Sequence, residues 1–158
     1  MSSIDPKYLR EIIMDHYQYP RNKKLTESQD YDSKHMASES CIDDITVQAK
    51  IKDGIIQDAD FDGVACTIST ASTDILCELV KGKSVEEAQQ IIDNYRKMID
   101  QKDYDDDILE EAIAFSTVGK QANRIKCATI GWNAMEEILD DYRKPGDPAK
   151  DKEATGNE

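Results

Sequence analysis

Three cysteines and one aspartate constrain the fold of this chain most, because a metal ion shared by them would tie distant segments together. Cys41 is followed two residues later by Asp43, whereas Cys66 and Cys127 come much further along the chain. Thiolate sulfur and carboxylate oxygen are ligands that Zn²⁺ binds in tetrahedral sites. The long intervals differ from the paired knuckles that identify a zinc site by themselves, so the residues around each cysteine have to decide the interpretation.

The composition limits the classes of protein to which the chain can belong. Its 158 residues suffice for one domain, which we expect over residues 1–142, with a charged, disordered tail over 143–158. The net charge of −13 argues against a nucleic-acid or anionic-membrane partner. The sequence has neither an apolar run long enough to cross a membrane nor the pattern of a signal peptide. We therefore expect a cytoplasmic protein whose cysteines serve metal or redox chemistry.

The first half of the chain predicts one helix followed by a small sheet. Asp5 and Pro6 are typical of a helix start, and Tyr19-Pro20 ends the helical pattern. Residues 21–40 are polar and irregular, which predicts a long loop leading to Cys41. Alternating apolar residues then predict a strand over 45–51.

Asp53-Gly54 is typical of a tight hairpin and places a second strand directly after the first. This returning strand would bury Ile55, Ala59 and Phe61 on one face. A bend after Gly63 would lead into a short third strand ending near residue 68. The pattern thus predicts three antiparallel strands.

The second half of the chain predicts helices. Apolar spacing indicates helices over 70–81 and over about 85–100, the second opened by the capping box of Ser84 and Glu87. A short helix ending near Gly119 and a last helix over 122–142 follow an acidic loop. The expected fold class is therefore α+β, a small three-stranded antiparallel sheet packed with about five helices.

The cysteines differ in what surrounds them. Residues two apart on a strand point to the same side, so Cys41 and Asp43 could face one ion. Cys127 lies in the first turns of the last helix, beside the cations Arg124 and Lys126, where its thiolate would be favoured. A free cysteine is, however, often simply a small hydrophobic residue of the core. We interpret Cys77 in that way.

Three local sequences resolve this ambiguity, because they resemble the cysteine motifs of one family. They are SCIDDI around Cys41, FDGVACTISTASTDILCELVKGK around Cys66 and RIKCATIGWNAME around Cys127. Together with the opening YLREIIMDHYQYPRN, they are similar to the SufU proteins of the wider IscU/NifU-like family. IscU proteins carry a histidine where this chain has Lys126, and they lack the additional helical stretch found here within 84–119. One departure from the family is Ile42, which stands where a glycine is usual.

The resemblance implies an IscU/NifU-like fold with a zinc site formed by Cys41, Asp43, Cys66 and Cys127. It implies a zinc-dependent sulfurtransferase that accepts persulfide sulfur from a SufS-type cysteine desulfurase and serves downstream iron–sulfur assembly proteins. One alternative is a scaffold that assembles a transient [2Fe–2S] cluster on the same ligands. A second alternative is a structural zinc module that acts only as an interaction protein.

We predict Cys41 to be the catalytic residue that takes the sulfur. Cys66 and Cys127 are expected in a sheet corner and a helix, whereas Cys41 follows the predicted loop, whose backbone could yield to a partner. Asp43 is a harder ligand than a thiolate and a natural weak point of the zinc site. The resemblance implies that a desulfurase histidine replaces Cys41 on the metal, so that the thiolate can attack the persulfide.

Overall fold

The computed structural model describes residues 5–38 and 42–144. No helix within these two ranges is both long and apolar enough to cross a membrane. The elements are α1 (Pro6–Gln18), β1 (Tyr31–Ala37), β2 (Asp44–Lys52), β3 (Ile55–Val64), α2 (Thr67–Val80), α3 (Val85–Ile99), two 3₁₀ helices (Glu110–Phe115 and Val118–Lys120) and α4 (Ala122–Arg143). The α+β fold with a three-stranded antiparallel sheet is confirmed.

The strand order is β1-β2-β3, and each neighbouring pair is antiparallel. Asp53 and Gly54 join β2 to β3 with φ angles of 54° and 77°, the left-handed conformation that tight hairpin turns require. A bulge between Lys50 and Ile51 shifts the register of this pair. As a consequence Ile56 is fully buried, whereas the predicted core residue Ile55 is 37% exposed.

Two predictions about the sheet are wrong. Residues 31–37 form the edge strand β1 within the stretch that was predicted to be a loop, and they pair with β2 from Tyr31↔Lys50 to Ala37↔Asp44. The predicted third strand ending near residue 68 is absent, because β3 runs to Val64 and α2 begins at Thr67. The sheet therefore has three strands, but its first strand precedes Cys41 in the sequence.

The helix predictions are largely confirmed. Asp5 caps α1 by accepting a hydrogen bond from the backbone N–H of Lys7, and Ser84 and Glu87 form the predicted capping box of α3. The single short helix predicted before Gly119 is instead the pair of 3₁₀ helices. The last helix ends at Arg143, and residues 145–158 of the predicted tail lie outside the described ranges.

The core lies between the sheet and the helices α2 and α4, and α3 packs against these two helices. At its centre the rings of Tyr95 and Trp132 stack with centroids 3.6 Å apart. Trp132 Nε1 donates a 2.8 Å hydrogen bond to Ser72 Oγ, which connects α4 to α2. Of the predicted metal ligands, Cys66 directly precedes α2 and Cys127 lies on α4, so this contact connects the segments that hold both.

Candidate metal centre

Three of the four predicted ligands come together at one end of the sheet. The ligand atoms of Asp43, Cys66 and Cys127 all lie within 4.8 Å of one another. Asp43 is buried and both cysteines are half-buried. Cys41, the fourth predicted ligand and the predicted catalytic residue, lies outside the described ranges, so its role stays a prediction.

Asp43 directly precedes β2 and is only 1% exposed, so its carboxylate needs hydrogen bonds to be stable there. Its Oδ1 accepts a 2.9 Å bond from the backbone N–H of Cys66, and its Oδ2 accepts one from the hydroxyl of Ser69. Both donors belong to the start of α2. The start of β2 is therefore fixed against the beginning of this helix.

Cys66 is the N-cap residue of α2, which corrects its predicted place in a sheet corner. Its Sγ accepts a 3.5 Å hydrogen bond from the backbone N–H of Ser69 and lies 3.3 Å from the Ser69 hydroxyl. The N-terminus of a helix carries partial positive charge and free N–H groups. Cys66 therefore presents its sulfur at the start of α2, within reach of Asp43.

Cys127 lies in the second turn of α4, as predicted from the sequence. The adjoining Ala128 carbonyl accepts 2.7 Å hydrogen bonds from both Ser72 Oγ of α2 and the Tyr95 hydroxyl of α3. A Cβ added at Gly131 would lie 2.2 Å from Thr73 Oγ1, so the backbone of α4 approaches α2 very closely here. These contacts hold the helix that carries Cys127 beside the helix that Cys66 caps.

The remaining candidates do not join this group. Cys77 is fully buried, as predicted, and burial raises the pKa of its thiol. His35, a further possible metal ligand by residue type, lies on β1, where its Nε2 is 2.6 Å from Asp44 Oδ1. The carboxylates of 105–107 also lie close together, but this cluster is largely exposed and such clusters are common without a metal.

The donor set fits zinc. In a tetrahedral site with Zn–S bonds of about 2.3 Å, neighbouring ligand atoms lie about 3.5–3.8 Å apart. Cys66 Sγ and Asp43 Oδ2 are 4.0 Å apart, so a small inward adjustment would bring them to bonding distance of one ion. Cys66, Cys127 and Asp43 would hold the ion, and Cys41, two residues before Asp43 in the sequence, is the candidate for the fourth position.

Sequence reasoning missed Ser69, which lies between two of the ligands. Its only sequence signal is its position three residues after Cys66. When a residue caps a helix, the third helical residue lies next to the capping side chain. That signal required knowing that α2 begins directly after Cys66. The predicted third strand concealed this.

Comparisons with known proteins show the family of this chain. Residues 8–147 match the family described as "NifU-like N terminal domain". The chain is 39% identical to the zinc-dependent sulfurtransferase SufU of Bacillus subtilis, over 86% of this chain and 91% of that protein. It is 31% identical to the iron-sulfur cluster assembly scaffold protein IscU of Streptococcus pyogenes, over 88% of this chain and 86% of that protein.

Solved structures show the same fold. A putative iron-sulfur cluster assembly scaffold protein for the SUF system from Fervidobacterium islandicum superposes with a TM-score of 0.74 at 28% identity, covering 82% of this chain and 94% of that one. The N-terminal part of a NifU-like protein from Brucella abortus gives a TM-score of 0.75 at 20% identity, covering 88% of this chain and 96% of that one. The second likeness shows the fold alone.

Proposed function

Because the chain belongs to the NifU-like N-terminal domain family, we propose that it is a zinc-dependent sulfurtransferase of iron–sulfur cluster assembly. In this proposal the protein accepts sulfur from a cysteine desulfurase in the cytoplasm and delivers it to downstream assembly proteins. The observation that carries the proposal is the convergence of Asp43, Cys66 and Cys127 within 4.8 Å. Two thiols and a buried carboxylate at one point form a donor set suited to zinc.

Each residue of the site has a distinct part in the proposal. When bound, zinc would keep the cysteines deprotonated at neutral pH and would connect β2 to α2 and α4. Cys66 and Cys127 are held by helices, so they serve as the stable ligands. Cys41 lies in the connection between β1, which ends at Ala37, and β2, and we assign it the role of sulfur acceptor.

The transfer step needs no oxidant or reductant beyond the donor itself. The Cys41 thiolate attacks the outer sulfur of the persulfide on the desulfurase cysteine. The sulfur–sulfur bond of the donor breaks, and its electron pair leaves with the donor cysteine as a thiolate. A new sulfur–sulfur bond forms on Cys41, and the outer sulfur keeps its proton.

Cys41 was predicted to be the sulfur acceptor because it follows a long loop, but it comes only four residues after the end of β1 at Ala37. A twenty-residue loop would let Cys41 move freely, but β1 occupies much of that stretch. The length of the predicted loop therefore no longer supports the choice of Cys41, which rests on the resemblance to the family. Ser38 N–H donates a 2.9 Å hydrogen bond to the Asp43 carbonyl, which closes the β1–β2 connection at its base.

A scaffold function is the second candidate, and the observation in its favour is that IscU relatives align over most of the chain. Cysteine thiolates are also the usual ligands of iron–sulfur clusters. The exposed Lys126 directly before Cys127 favours the transfer function, because the resemblance places a histidine there in IscU scaffolds. Metal analysis after purification with and without oxygen separates the two: colourless stoichiometric zinc supports transfer, and a brown chromophore formed only without oxygen supports the scaffold.

Mass spectrometry of the reaction with a cysteine desulfurase and free cysteine tests the assignment of the acceptor. We expect one added sulfur on Cys41, and we expect Cys41→Ala to abolish both sulfur loading and stimulation of the desulfurase while zinc is retained. Cys77→Ala is the matched control, since it removes a buried cysteine outside the site. Added sulfur on Cys66 or Cys127, with Cys41 unmodified, would overturn the assignment.

A further inference from the structure

We propose that Ser69 is a positioning residue that fixes the carboxylate of Asp43 for metal binding, an inference that rests on the proposed zinc site. Ser69 lies in the first turn of α2 and is fully buried. Its hydroxyl donates a hydrogen bond to Oδ2 of Asp43, which is 26 positions away in the sequence. The hydroxyl therefore spans the gap between the helix and the start of β2.

The two oxygens of Asp43 are held by different parts of the same helix start. Oδ1 accepts the backbone N–H of Cys66, and Oδ2 accepts the Ser69 hydroxyl. Together these two donors help to fix the plane of the carboxylate and the directions of its lone pairs. Since each carboxylate oxygen has two lone pairs, the carboxylate can keep both bonds and still bind a metal.

Ser69 supports the two neighbouring ligands by separate groups. Its side chain serves Asp43, while its backbone N–H donates to Cys66 Sγ at 3.5 Å. A serine hydroxyl has only one proton, so when it donates to Asp43 it has none left for Cys66. Replacing the side chain by that of alanine removes the support of Asp43 and leaves the backbone donor to Cys66 in place.

This separation gives a direct test by a double-mutant cycle. The zinc dissociation constant is measured by competition with a chelator for the parent, Ser69→Ala, Asp43→Ala and the double variant. We expect Ser69→Ala to weaken zinc binding by about 10–100-fold, the usual effect of removing a hydrogen-bond partner of a ligand. In the Asp43→Ala background the same change should have almost no further effect, because the residue on which Ser69 acts is gone.

Two further variants separate positioning from general damage to the helix. Ser69→Thr keeps the hydroxyl and should bind zinc more tightly than Ser69→Ala. Ser72→Ala removes another fully buried serine hydroxyl of α2, one that bonds Ala128 and not Asp43, so any change in zinc affinity should be equal in both Asp43 backgrounds. Alanine is smaller than serine and a better helix former, so the Ser69→Ala protein is expected to fold, which circular dichroism checks.

The outcomes distinguish this inference from the proposed function. A parent protein that binds no zinc would overturn the metal site itself and, with it, the role of Ser69. A parent that binds zinc together with a Ser69→Ala variant of unchanged affinity would overturn only the role of Ser69. An equal loss of affinity in both Asp43 backgrounds would also overturn it, since Ser69 would then act independently of Asp43.

Discussion

Replacing Gly131 by alanine tests how the fold holds two of the ligands together. Gly131 follows Cys127 by four residues and therefore lies on the same face of α4, towards α2. An added Cβ would lie 2.2 Å from Thr73 Oγ1, 2.8 Å from Cγ2 and 2.9 Å from Cβ. A change of the Thr73 rotamer cannot relieve all three contacts, because the Cβ does not move with it. The backbones of α2 and α4 must separate instead.

The size of the effect follows from two opposing contributions. Overpacking in a closely packed core costs about 1–3 kcal/mol, and overlaps this severe belong at the upper end of that range. Alanine in place of glycine within a helix returns about 1 kcal/mol. We therefore expect Gly131→Ala to lower the free energy of unfolding by about 2 kcal/mol, and to weaken zinc binding because Cys127 moves away from Cys66.

Urea denaturation followed by far-ultraviolet circular dichroism measures the stability, and chelator competition measures zinc binding. The matched control is the pair Thr73→Ala and Thr73→Ala/Gly131→Ala, because alanine at 73 removes two of the three clashing atoms. Gly131→Ala should cost much less in the Thr73→Ala background. A Gly131→Ala protein as stable as the parent, with unchanged zinc affinity, would refute the idea that this close approach positions the ligands.

Three other predictions concern the metal, the fourth cysteine and pH. Removing zinc with a chelator should lower the melting temperature by about 5–10 °C in differential scanning calorimetry, since saturating ligand contributes about 3 kcal/mol; an unchanged melting temperature after verified removal would contradict the site. Cys77→Ala should cost about 1–2 kcal/mol from lost packing in urea denaturation and leave the zinc content intact; loss of zinc would mean that Cys77 is a ligand. Burial, together with the neighbouring Asp58, raises the pKa of Asp60 to about 6. Between about pH 4 and pH 6 the folded state therefore keeps a proton on Asp60 that the unfolded state has lost. The contribution of Asp60 to the free energy of unfolding falls as pH rises through this range. Asp60→Asn should therefore stabilise the protein at pH 7.5, by an amount on the order of 2 kcal/mol, and much less at pH 4; equal effects at both pH values in urea denaturation would refute this.

The elements that could be predicted from the sequence are those with strong local signals. The capping box of Ser84 and Glu87 and the Asp53-Gly54 turn act within a few residues, so they gave the start of α3 and the β2–β3 hairpin correctly. β1 was missed because it is an edge strand whose polar and charged side chains have no clear alternation. It becomes a strand only because the edge of β2 offers it hydrogen-bonding partners.

The candidate site also contains features that could be predicted from the sequence and features that could not. The local sequences around Asp43, Cys66 and Cys127 resemble the motifs of a family, and this resemblance predicted their convergence. The intervals between these residues carry little information about it. The supporting contacts could not be predicted, since Ser69 and Asp43 are far apart in the sequence and meet only once β2 and α2 are in place. The close approach of Gly131 to Thr73 likewise depends on how α2 and α4 pack.

X-ray absorption at the zinc edge of the purified protein tests the metal centre most directly. We expect three sulfur ligands at about 2.3 Å and one oxygen ligand at about 2.0–2.2 Å, with the oxygen contribution lost or replaced by water in Asp43→Ala. Cys77→Ala should leave the spectrum unchanged, because that thiol is buried in the core. A coordination shell without sulfur, or one with four sulfur ligands that loses one in Cys77→Ala, would contradict a zinc site formed by Cys41, Asp43, Cys66 and Cys127.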